Sequence, residues 1–424
     1  MIDLRRLADD ADYRAGALRK GADEAHVFNL IELAEAARTQ RTETESLRAE
    51  ANQANKEIGR AAPEDREAKI EGAKALRDRL GSAEQELTQL DNQVNELALV
   101  VPNPAHESVP DGGEDGFRIE KVHGAESDPP PLSHAEIGER LGLVDTDRAV
   151  RMSGSRFAYI LGDAVRLQFA LMQWTMNKLI GRDFTPVIVP VLVREDMLVE
   201  AGFFPTDRNQ VYELERDELF LVGTSEVGLA GLHRGERLDA DDLPVRYAGY
   251  SSCFRREAGT YGKDTQGLFR VHQFDKVEMF SYAHPDRSWD ELETLRAIEE
   301  EIFTELELPY RVITVAAGDL GAAAAKKYDI EVWLGSEQRY REVTSCSNYT
   351  DFSARRMSTR TKTSSGSEFV HTLNGTACAI GRTLLAIFEN HQNDDGSITV
   401  PSVLRPLCGL DVIEPKEKAS SDLD

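Results

Sequence analysis

Two stripes of apolar and small side chains run along the first hundred residues, at alternating steps of three and four. The first contains Leu30, Leu33, Ala37, Leu47, Ala51, Ala54 and Ile58, interrupted by Gln40 and Thr44; the second contains Ile70, Ala73, Leu76, Leu80, Ala83, Leu87, Leu90, Val94 and Leu97. This spacing is typical of a two-stranded coiled-coil seam. Between the stripes, Gly59 and Pro63 break the helix and Asp65 can cap the next one. So short a connection makes the helices antiparallel, which predicts a projecting arm over residues 28–99.

A helical bundle or a dimerising coiled coil would show the same stripes, so the pattern alone leaves these alternatives open.

Residues 100–150 are rich in turn and breaker residues and are predicted to form a connector. From about residue 150 the pattern is that of an α+β protein. A long helix at 156–183 precedes short strands at 185–195, 210–214, 219–223, 245–252, 268–280, 310–316, 328–334 and 340–348. Hairpin-joined strands of this kind favour an antiparallel sheet backed by helices.

Composition narrows the class of protein. The chain has 424 residues, of which 41% are hydrophobic. It contains no run of about 18 apolar residues and no secretory signal at its start, so we expect a cytoplasmic protein without a membrane partner. The four cysteines lack the CxxC spacing of a zinc site, and we find neither a dinucleotide fingerprint nor a phosphate loop of the P-loop type.

The net charge of −25 argues, taken alone, against a nucleic-acid partner. The charge is unevenly distributed, however. Residues 41–80 carry nine Lys/Arg and nine Asp/Glu, so this segment is neutral and the acidic excess lies elsewhere. The predicted arm could therefore still contact an RNA.

The hairpin predicted around residues 253–280 is unusual because charged residues alternate with apolar ones along it. Successive strand residues point to opposite faces. In the second strand Val271, Val277 and Met279 suit a core, whereas the other face carries Arg270, His272, Phe274, Lys276 and Glu278; Arg255 and Glu257 share one face of the first strand. If the two strands turn these polar faces to the same, solvent-exposed side of the sheet, they form a binding surface for phosphates, an aromatic base and a small polar ligand. An exposed sheet face carrying ion pairs is the alternative.

The glycine-rich loop at 258–267 is expected to be mobile and to reach over the ligand.

Several segments together carry a resemblance to a known family. "FRRE" (254–257), "GLFRVHQFDKVE" (267–278) and "NGTACAIGRTLLAIFENHQ" (374–392) resemble motifs 2 and 3 of the class II aminoacyl-tRNA synthetases. "GRDFTPVIVPVLVRED" (181–196) resembles motif 1, with Pro190 at the dimer-forming position. "HQFDKVE", "TSEV", "REVTSCSN" and the arm resemble, more narrowly, the bacterial type of seryl-tRNA synthetase. The resemblance covers essentially the whole chain.

The resemblance implies an antiparallel class II sheet flanked by helices, preceded by a tRNA-binding domain with a coiled-coil arm, in a homodimer. The implied domains are 1–110 for tRNA binding and 111–424 for catalysis. Motif 1 is then 181–196, motif 2 is 246–280 and motif 3 is 374–392. The charged tail at 414–424 is expected to be disordered.

The resemblance also implies an ATP site. Its residues would be Arg255, Arg256, Glu257, Arg270, Val271, Phe274, Glu342, Val343, Thr344, Ser345 and Arg382. The catalytic arginines would be Arg255 on the α-phosphate, Arg270 on the β- and γ-phosphates, and Arg382 on the γ-phosphate and one adenine face. Phe274 would stack on adenine, and Glu257 would lie near the adenine amino group. Mg²⁺ would be bound by Glu342 and Ser345, because a hard cation prefers oxygen ligands; the bacterial type implies no zinc.

The serine site implied by the resemblance contains Thr224, Ser225, Glu226, Glu278, Asn374 and Thr376. A carboxylate such as Glu278 can accept hydrogen bonds from an ammonium or hydroxyl group. A site built to hydrogen-bond a hydroxyl rejects ligands that lack one, because its buried polar groups are then left unpaired.

The activity implied is serine--tRNA ligation: L-serine and ATP form seryl-adenylate, and the seryl group passes to the 3′ end of tRNA(Ser). Basic arm residues, among them Arg41, Arg48, Lys56 and Arg60, would contact RNA phosphates. Charging of tRNA(Sec) stays open. So do two alternatives: a paralogue kept for antibiotic resistance or biosynthesis, and a non-catalytic RNA-binding coiled-coil protein. The intact arginines argue against the second.

Overall fold

The computed structural model describes residues 1–259, 268–364 and 366–415. Within it, the chain divides into two compact units, Met1–Pro104 and Ala105–Asp424. Each unit has a hydrophobic core of its own.

Two predictions fall on segments of which the structure describes only a part. Most of the glycine-rich loop at 258–267 and most of the tail at 414–424 lie outside the described residues. Across the part of the chain that is described, we find no helix with the length and hydrophobicity needed to cross a membrane.

The first unit is helical. Its helices are α1 (Leu4–Asp9), α2 (Ala11–Arg19), α3 (Glu24–Arg60) and α4 (Arg66–Val100). The α3 helix begins after Asp23, whose carboxylate accepts a hydrogen bond from the His26 amide at 2.8 Å, as an N-cap should. Asp65 does precede α4, but its side chain makes no capping hydrogen bond within the described residues, so that part of the prediction was wrong.

Helices α3 and α4, here called the arm, run antiparallel as predicted. The α3 helix has 37 residues, which corresponds to about 55 Å at about 1.5 Å per residue. Cross-helix pairs show the direction: Arg41 contacts Asp91 at 2.7 Å, and Arg48 contacts Glu84 at 2.7 Å. As the position in α3 increases, the partner in α4 decreases.

The predicted seam is buried or partly buried at all of its apolar positions except one. Its buried members are Leu30, Ala37, Leu47 and Ala51 from α3, with Ala73, Ala83 and Val94 from α4. Ile70 is an exception, since it is 51% exposed. The polar positions of the stripe are hydrogen-bonded: Gln40 Nε2 donates to the Ala83 carbonyl at 3.3 Å, and Thr44 Oγ1 donates to the Gln40 carbonyl at 2.8 Å. Pairing of this kind removes most of the cost of burying them.

The second unit is an α+β structure. Its helices are α5 (His134–Arg140), α6 (Thr146–Ser153), α7 (Asp163–Ile180), α8 (Glu195–Ala201), α9 (Glu226–Gly231), α10 (Ser288–Glu305), α11 (Phe352–Met357), α12 (Ile380–Asn390) and α13 (Arg405–Cys408). The strands up to the motif 2 hairpin are β1 (Arg118–His123), β2 (Val144–Asp145), β3 (Tyr159–Ile160), β4 (Thr185–Ile188), β5 (Leu192–Val193), β6 (Tyr212–Leu214), β7 (Leu219–Leu221), β8 (Arg237–Leu238), β9 (Val245–Phe254) and β10 (Gln273–Ala283). The strands that follow are β11 (Tyr310–Thr314), β12 (Lys326–Leu334), β13 (Arg339–Asn348), β14 (Arg360–Thr363), β15 (Gly366–Phe369), β16 (His371–Ala379), β17 (Ile398–Thr399) and β18 (Val412–Ile413).

The main sheet has the strand order β1-β11-β12-β13-β16-β10-β9-β4. Every neighbouring pair in it is antiparallel except β4 with β9. On one face Val277 and Met279 pack with residues of α7, α10 and α12. On the other face Phe280 and Tyr282 join a second cluster with residues of α8 and α9. This arrangement confirms the predicted antiparallel sheet flanked by helices.

The predicted connector at 100–150 contains more structure than expected. Strand β1 pairs with β11 at one end of the main sheet, and α5 and α6 follow it. The prediction was wrong here because β1 is mostly exposed and carries charged side chains, so it lacks the apolar signal of a buried strand.

The predicted motif 2 hairpin also differs from the observed one. The second strand begins at Gln273, so Arg255 and Arg270 lie beyond the strand ends. Further along β10, Lys276 is 5% exposed and Glu278 is 0% exposed. The prediction that these two side chains face solvent was therefore wrong, because the structure around the cleft covers this part of the sheet.

Candidate active site

A cleft lies against the polar positions of β10, β13 and β16. Its lining residues are Phe203, Thr224, Glu226, Arg255, Phe274, Lys276, Lys327, Glu342, Val343, Thr344, Ser345, Tyr349, Asn374, Thr376, Ala379 and Arg382. An adjoining pocket, which shares Arg255, Phe274 and Arg382 with it, adds Glu257, Arg270 and Val271. The structure thus brings most of the sequence-predicted residues into one continuous site.

Two β-bulges shape the strands beneath the cleft. Between β12 and β13 the register shifts so that Ile330 pairs with Thr344 while Glu331 pairs with Glu342. Between β10 and β16, Val277 pairs with Cys378 and Glu278 pairs with Thr376. Each shift leaves one residue unpaired, Val343 and Ala377 respectively. Bulges re-aim neighbouring side chains, and both adjoin residues that line the cleft.

At one end of the cleft, Arg255 is held by its backbone and its side chain. Its amide donates to the His272 carbonyl at 3.0 Å, and His272 Nδ1 lies 2.9 Å from the Arg255 carbonyl. Arg255 Nε donates to the Gly223 carbonyl at 3.2 Å, and the guanidinium lies 5.1 Å from the Phe274 ring centroid. A cation beside an aromatic ring suits a ligand that combines phosphates with a base.

Arg270 and Glu257 form an ion pair at the same end, with Nη1 and Oε2 3.3 Å apart. Glu257 has a φ of +48°, a left-handed conformation that is rare outside glycine. The Glu257 carbonyl accepts a hydrogen bond from Arg156 Nη1 at 3.3 Å. Residues held in such conformations concentrate at functional sites, where surrounding contacts maintain them.

Arg382 extends from the first turn of α12. Its Nη1 donates to the Glu342 carbonyl at 3.0 Å, and its guanidinium lies 4.7 Å from the Phe269 ring centroid. Burial alone would raise the pKa of Glu342. The positive charges of Lys327, Arg382, Arg255 and Arg270 outweigh that effect and hold the pKa below its usual value. This end, called here the arginine end, therefore presents several cations around the carboxylates of Glu342 and Glu257.

The other end of the cleft, called here the carboxylate end, is more deeply buried. Asn374 Nδ2 donates to Glu278 Oε1 and to Glu226 Oε2, each at 3.0 Å. Thr376 Oγ1 donates to Glu278 Oε2 at 3.3 Å, and the Lys276 ammonium forms an ion pair with the same oxygen. The Asn374 Oδ1 atom is buried and accepts no hydrogen bond from the described residues, which leaves an acceptor for a ligand.

Glu226 has a raised pKa at this end. Burial, followed by the charge of Glu278, raises the pKa of Glu226 to about 7. The Tyr349 hydroxyl, which donates to the Glu226 carboxylate, acts in the opposite direction. A carboxylate that titrates near neutrality and lacks a full counter-charge is suited to bind a ligand cation such as an ammonium group.

Glu278 is not itself among the described lining residues, but it is hydrogen-bonded to Asn374 and Thr376, which are. Two other predicted site residues lie elsewhere. Ser225 is fully buried, and its Oγ donates to the Gly249 carbonyl on β9 at 3.3 Å. The Arg256 guanidinium lies 5.4 Å from the Tyr212 ring centroid, and the Arg256 amide donates to the Gln210 carbonyl at 2.8 Å. Neither side chain is among the described residues that line the cleft.

Sequence analysis missed several lining residues. Lys276 was placed on the polar face of the second hairpin strand, two residues before Glu278, but it was assigned to no ligand. Lys327 reaches the cleft through an ion pair with Asp329 at 2.9 Å. Tyr349 follows β13 directly. No sequence signal marks these last two, because their position depends on the pairing of β12 with β13.

Among the described residues, no three His, Cys, Asp or Glu side chains are grouped as a metal site. Glu342 and Ser345 both line the cleft, on either side of the Val343 bulge. One carboxylate and one hydroxyl fit a Mg²⁺ ion that receives its other ligands from phosphates and water.

Comparison with known proteins identifies the family. The model of the seryl-tRNA synthetase N-terminal domain matches residues 1–105, and that of the class II tRNA synthetase core domain (G, H, P, S and T) matches residues 210–391. The chain is 47% identical to the serine--tRNA ligase of Thermobifida fusca, over 99% of this chain and 100% of that protein. It belongs to the seryl-tRNA synthetase family. The serine--tRNA ligase of Corynebacterium glutamicum is 45% identical over the same shares.

Solved structures of seryl-tRNA synthetases have the same fold. The enzyme from Pyrococcus horikoshii, complexed with ATP, superposes with a TM-score of 0.91 and 37% identity over 98% of this chain and 100% of that one. A prolyl-tRNA synthetase from Giardia lamblia, at 15% identity and a TM-score of 0.56, shares the fold alone. The seryl-tRNA synthetase assignment thus extends over both units of the chain.

Proposed function

We propose that this chain activates L-serine with ATP and transfers the seryl group to the 3′ end of tRNA(Ser). The proposal rests on one observation: the arginine end and the carboxylate end lie in the same cleft. Phosphates and an adenine suit the first, and an amino acid with an ammonium and a hydroxyl suits the second. The alternatives of a specialised paralogue and a non-catalytic RNA-binding protein have no observation in their favour.

In the first step, a serine carboxylate oxygen attacks the α-phosphorus of ATP, and pyrophosphate leaves. Arg255 stabilises the negative charge that develops on the α-phosphate, because a preorganised cation in a water-poor site acts most strongly on charge formed in the transition state. Arg270 and Arg382 bind the outgoing phosphates and orient them. Phe274 provides one face for adenine, and Glu257 accepts from its amino group.

The proposed metal is Mg²⁺, bound by Glu342 and Ser345. When bound there, the ion would neutralise phosphate charge. The low pKa of Glu342 supports the assignment, since the carboxylate is ionised over the physiological range. Val343 and Thr344, the residues between the two proposed ligands, line the same wall of the cleft.

Serine is proposed to bind at the carboxylate end. Its ammonium would lie between Glu226 and Glu278, and its hydroxyl would contact Glu278 and Thr376. Asn374 keeps both carboxylates in place, and Thr224 Oγ1 accepts from the Glu226 amide at 3.2 Å. An amino acid without a hydroxyl would leave these buried groups unpaired, which disfavours its binding.

In the second step, a ribose hydroxyl at the 3′ end of tRNA(Ser) attacks the carbonyl carbon of seryl-adenylate and AMP leaves. The arm is proposed to bind this tRNA outside its anticodon. Arg41 and Arg48 already form ion pairs with acidic residues of α4, while Lys56 and Arg60 are exposed near the end of α3. Exposed ion pairs are weak, so phosphates can displace the carboxylates. Affinity should therefore fall steeply with salt.

We further propose a cytoplasmic homodimer. Strand β4 stands at the end of the main sheet and carries Ile188, which is 84% exposed; Phe169 on the neighbouring α7 is 56% exposed. An exposed edge strand with large apolar side chains is suited to self-association. Sedimentation of the wild type and of Ile188→Asp tests this, with a shift toward the monomer expected for the variant.

Serine-dependent ATP–pyrophosphate exchange is the experiment that tests the proposed function. We expect exchange with L-serine and a rate at least about 100-fold lower with alanine. Absence of exchange with every amino acid would refute the enzymatic assignment. Charging of tRNA(Ser) in the presence of a serine-mimicking inhibitor separates a housekeeping enzyme from a resistance paralogue.

Removal of the arm tests the role assigned to it. Deleting residues 28–99 and joining the ends with a short linker should leave the exchange reaction unchanged and abolish tRNA charging, because the cleft is built from the second unit alone. Charging that persists in the deletion variant would show that another surface reads the tRNA.

A further inference from the structure

Glu299 lies behind the carboxylate end, on the opposite side of the main sheet. It belongs to α10 and is 0% exposed. A Cβ atom placed on Gly375 would lie 3.0 Å from Glu299 Oε1, so the carboxyl group occupies the space that a side chain at this position would need. Gly375 stands in β16 between Asn374 and Thr376, which both line the cleft. The Glu299 carboxyl group therefore supports the strand segment that binds Glu278.

The contacts of Glu299 are few. Thr344 Oγ1 lies 3.3 Å from Oε2, and Oε1 has no hydrogen-bond partner among the described residues. The hydrogen-bonding and titratable groups that face Glu299 are Thr344 and Cys346 from β13, Glu278 and Lys276 from β10, and Asp329 from β12. Lys276 is the cation of this set, and its ammonium is already paired with Glu278.

A buried carboxyl group without its own cation is far more stable in the neutral form. Burial, followed by the negative charge of Glu278, raises the pKa of Glu299 well above its usual value. A neutral carboxyl group can donate its own proton to Thr344 Oγ1 or accept from it. An ionised Glu299 would instead place a second negative charge behind Glu278, where Lys276 already has a partner.

We propose that Glu299 is a positioning residue for serine: a neutral carboxylic acid that bonds Thr344 and holds the 374–376 segment of β16 in register with Glu278. Glu299 touches no substrate, and it acts through Asn374 and Thr376. The inference rests on the proposed function, because it assigns serine to the carboxylate end. It predicts that a change at Glu299 alters the KM for serine more than the KM for ATP, because Glu299 supports the segment that carries Asn374 and Thr376 and reaches the ATP wall through Thr344 alone.

Three variants test this in the exchange reaction with the full chain. Glu299→Ala should raise the KM for serine about tenfold, because Thr344 loses its partner and the strand loses its support. Glu299→Gln, which is neutral and of the same shape, should keep the KM for serine within about threefold of wild type. Glu305→Gln, on the same helix but paired with Lys178, is the matched control and should change neither KM.

The outcomes separate the possible roles. Equal changes in the KM for serine and for ATP, or a loss of thermal stability alone, would show that Glu299 only fills space. A Glu299→Gln variant as impaired as Glu299→Ala would show that the ionised form is needed. Absence of exchange in the wild type would instead overturn the proposed function.

An infrared measurement keeps the proposal testable if Glu299→Ala does not fold. The difference spectrum of wild type minus Glu299→Gln should contain the carbonyl stretch of a protonated carboxylic acid at neutral pH. A difference spectrum that contains only carboxylate bands would overturn the proposal.

Discussion

The arginine end and the carboxylate end of the cleft hold charge in different ways. Arg270 and Arg382 remain 29% and 23% exposed at their side chains, and backbone carbonyls and aromatic rings orient the arginines. At the other end the side chains of Glu278 and Lys276 are 0% and 7% exposed, and they neutralise each other directly. A large, hydrated polyanion needs cations that are reachable and oriented. A small zwitterion needs a site from which water is excluded, so that unpaired polar groups penalise the wrong ligand.

The largest expected effect lies at the arginine end. Arg255→Ala should lower kcat/KM in ATP–pyrophosphate exchange about 1,000-fold, because it removes a cation that acts on charge developed in the transition state. Arg256→Ala removes an adjacent arginine that lies over Tyr212, and it should cost about tenfold or less. Similar losses in the two variants would show that general positive charge, and not placement in the cleft, is what this end requires.

The next effect concerns the buried pair at the carboxylate end. Glu278→Gln leaves the Lys276 ammonium buried without its counter-charge, and breaking such a pair is costly. The KM for serine should rise about 100-fold, while the KM for ATP stays within about threefold. Steady-state exchange kinetics with each substrate varied in turn provide the measurement. A matching rise in the KM for ATP would mean that the charge at the carboxylate end also controls ligand binding at the arginine end.

Glu226 makes the carboxylate end sensitive to pH. Its pKa of about 7 in the free protein means that an ammonium ligand must displace a proton from Glu226 at lower pH. Serine affinity should therefore weaken about tenfold from pH 8 to pH 6, since the fraction of ionised Glu226 falls through this range. Calorimetric titration should show proton release at pH 6. Glu226→Gln should bind serine weakly and with little pH dependence; an unchanged pH dependence would assign it to another group.

The smallest effect distinguishes Ser225 from its neighbours. Because its hydroxyl donates to the Gly249 carbonyl away from the cleft, Ser225→Ala should lower the free energy of unfolding by about 1 kcal/mol. The KM for serine should stay within about twofold. Chemical denaturation measures the change in the free energy of unfolding, and exchange kinetics measure the KM for serine. A large rise in the KM would show that Ser225 belongs to the serine site.

The two ends also differ in how far the sequence predicted them. Arg255, Arg270 and Arg382 stand in or beside conspicuous motifs, and they line the cleft as expected. At the carboxylate end, Glu226, Asn374 and Thr376 were expected and do line the cleft. Glu278 is buried and hydrogen-bonded to Asn374 and Thr376, and Ser225 lies elsewhere. Sequence analysis placed Lys276 on the polar face of the hairpin without a role, overlooked Tyr349 and gave no sign of Glu299. Their roles depend on contacts between distant segments.

The sequence by itself determined the antiparallel arm, the mixed α+β architecture and the residue types of the site. These follow from local patterns: steps of three and four for a coiled-coil seam, period two for a strand, and motif order. The tertiary structure alone decided which charges are buried. The bulges at Val343 and Ala377 set the register of neighbouring strands, and that register brings Lys327 to the cleft, pairs Glu278 with Thr376 and places Glu299 behind them. Burial and register are properties of paired segments, so no single stretch of sequence contains them.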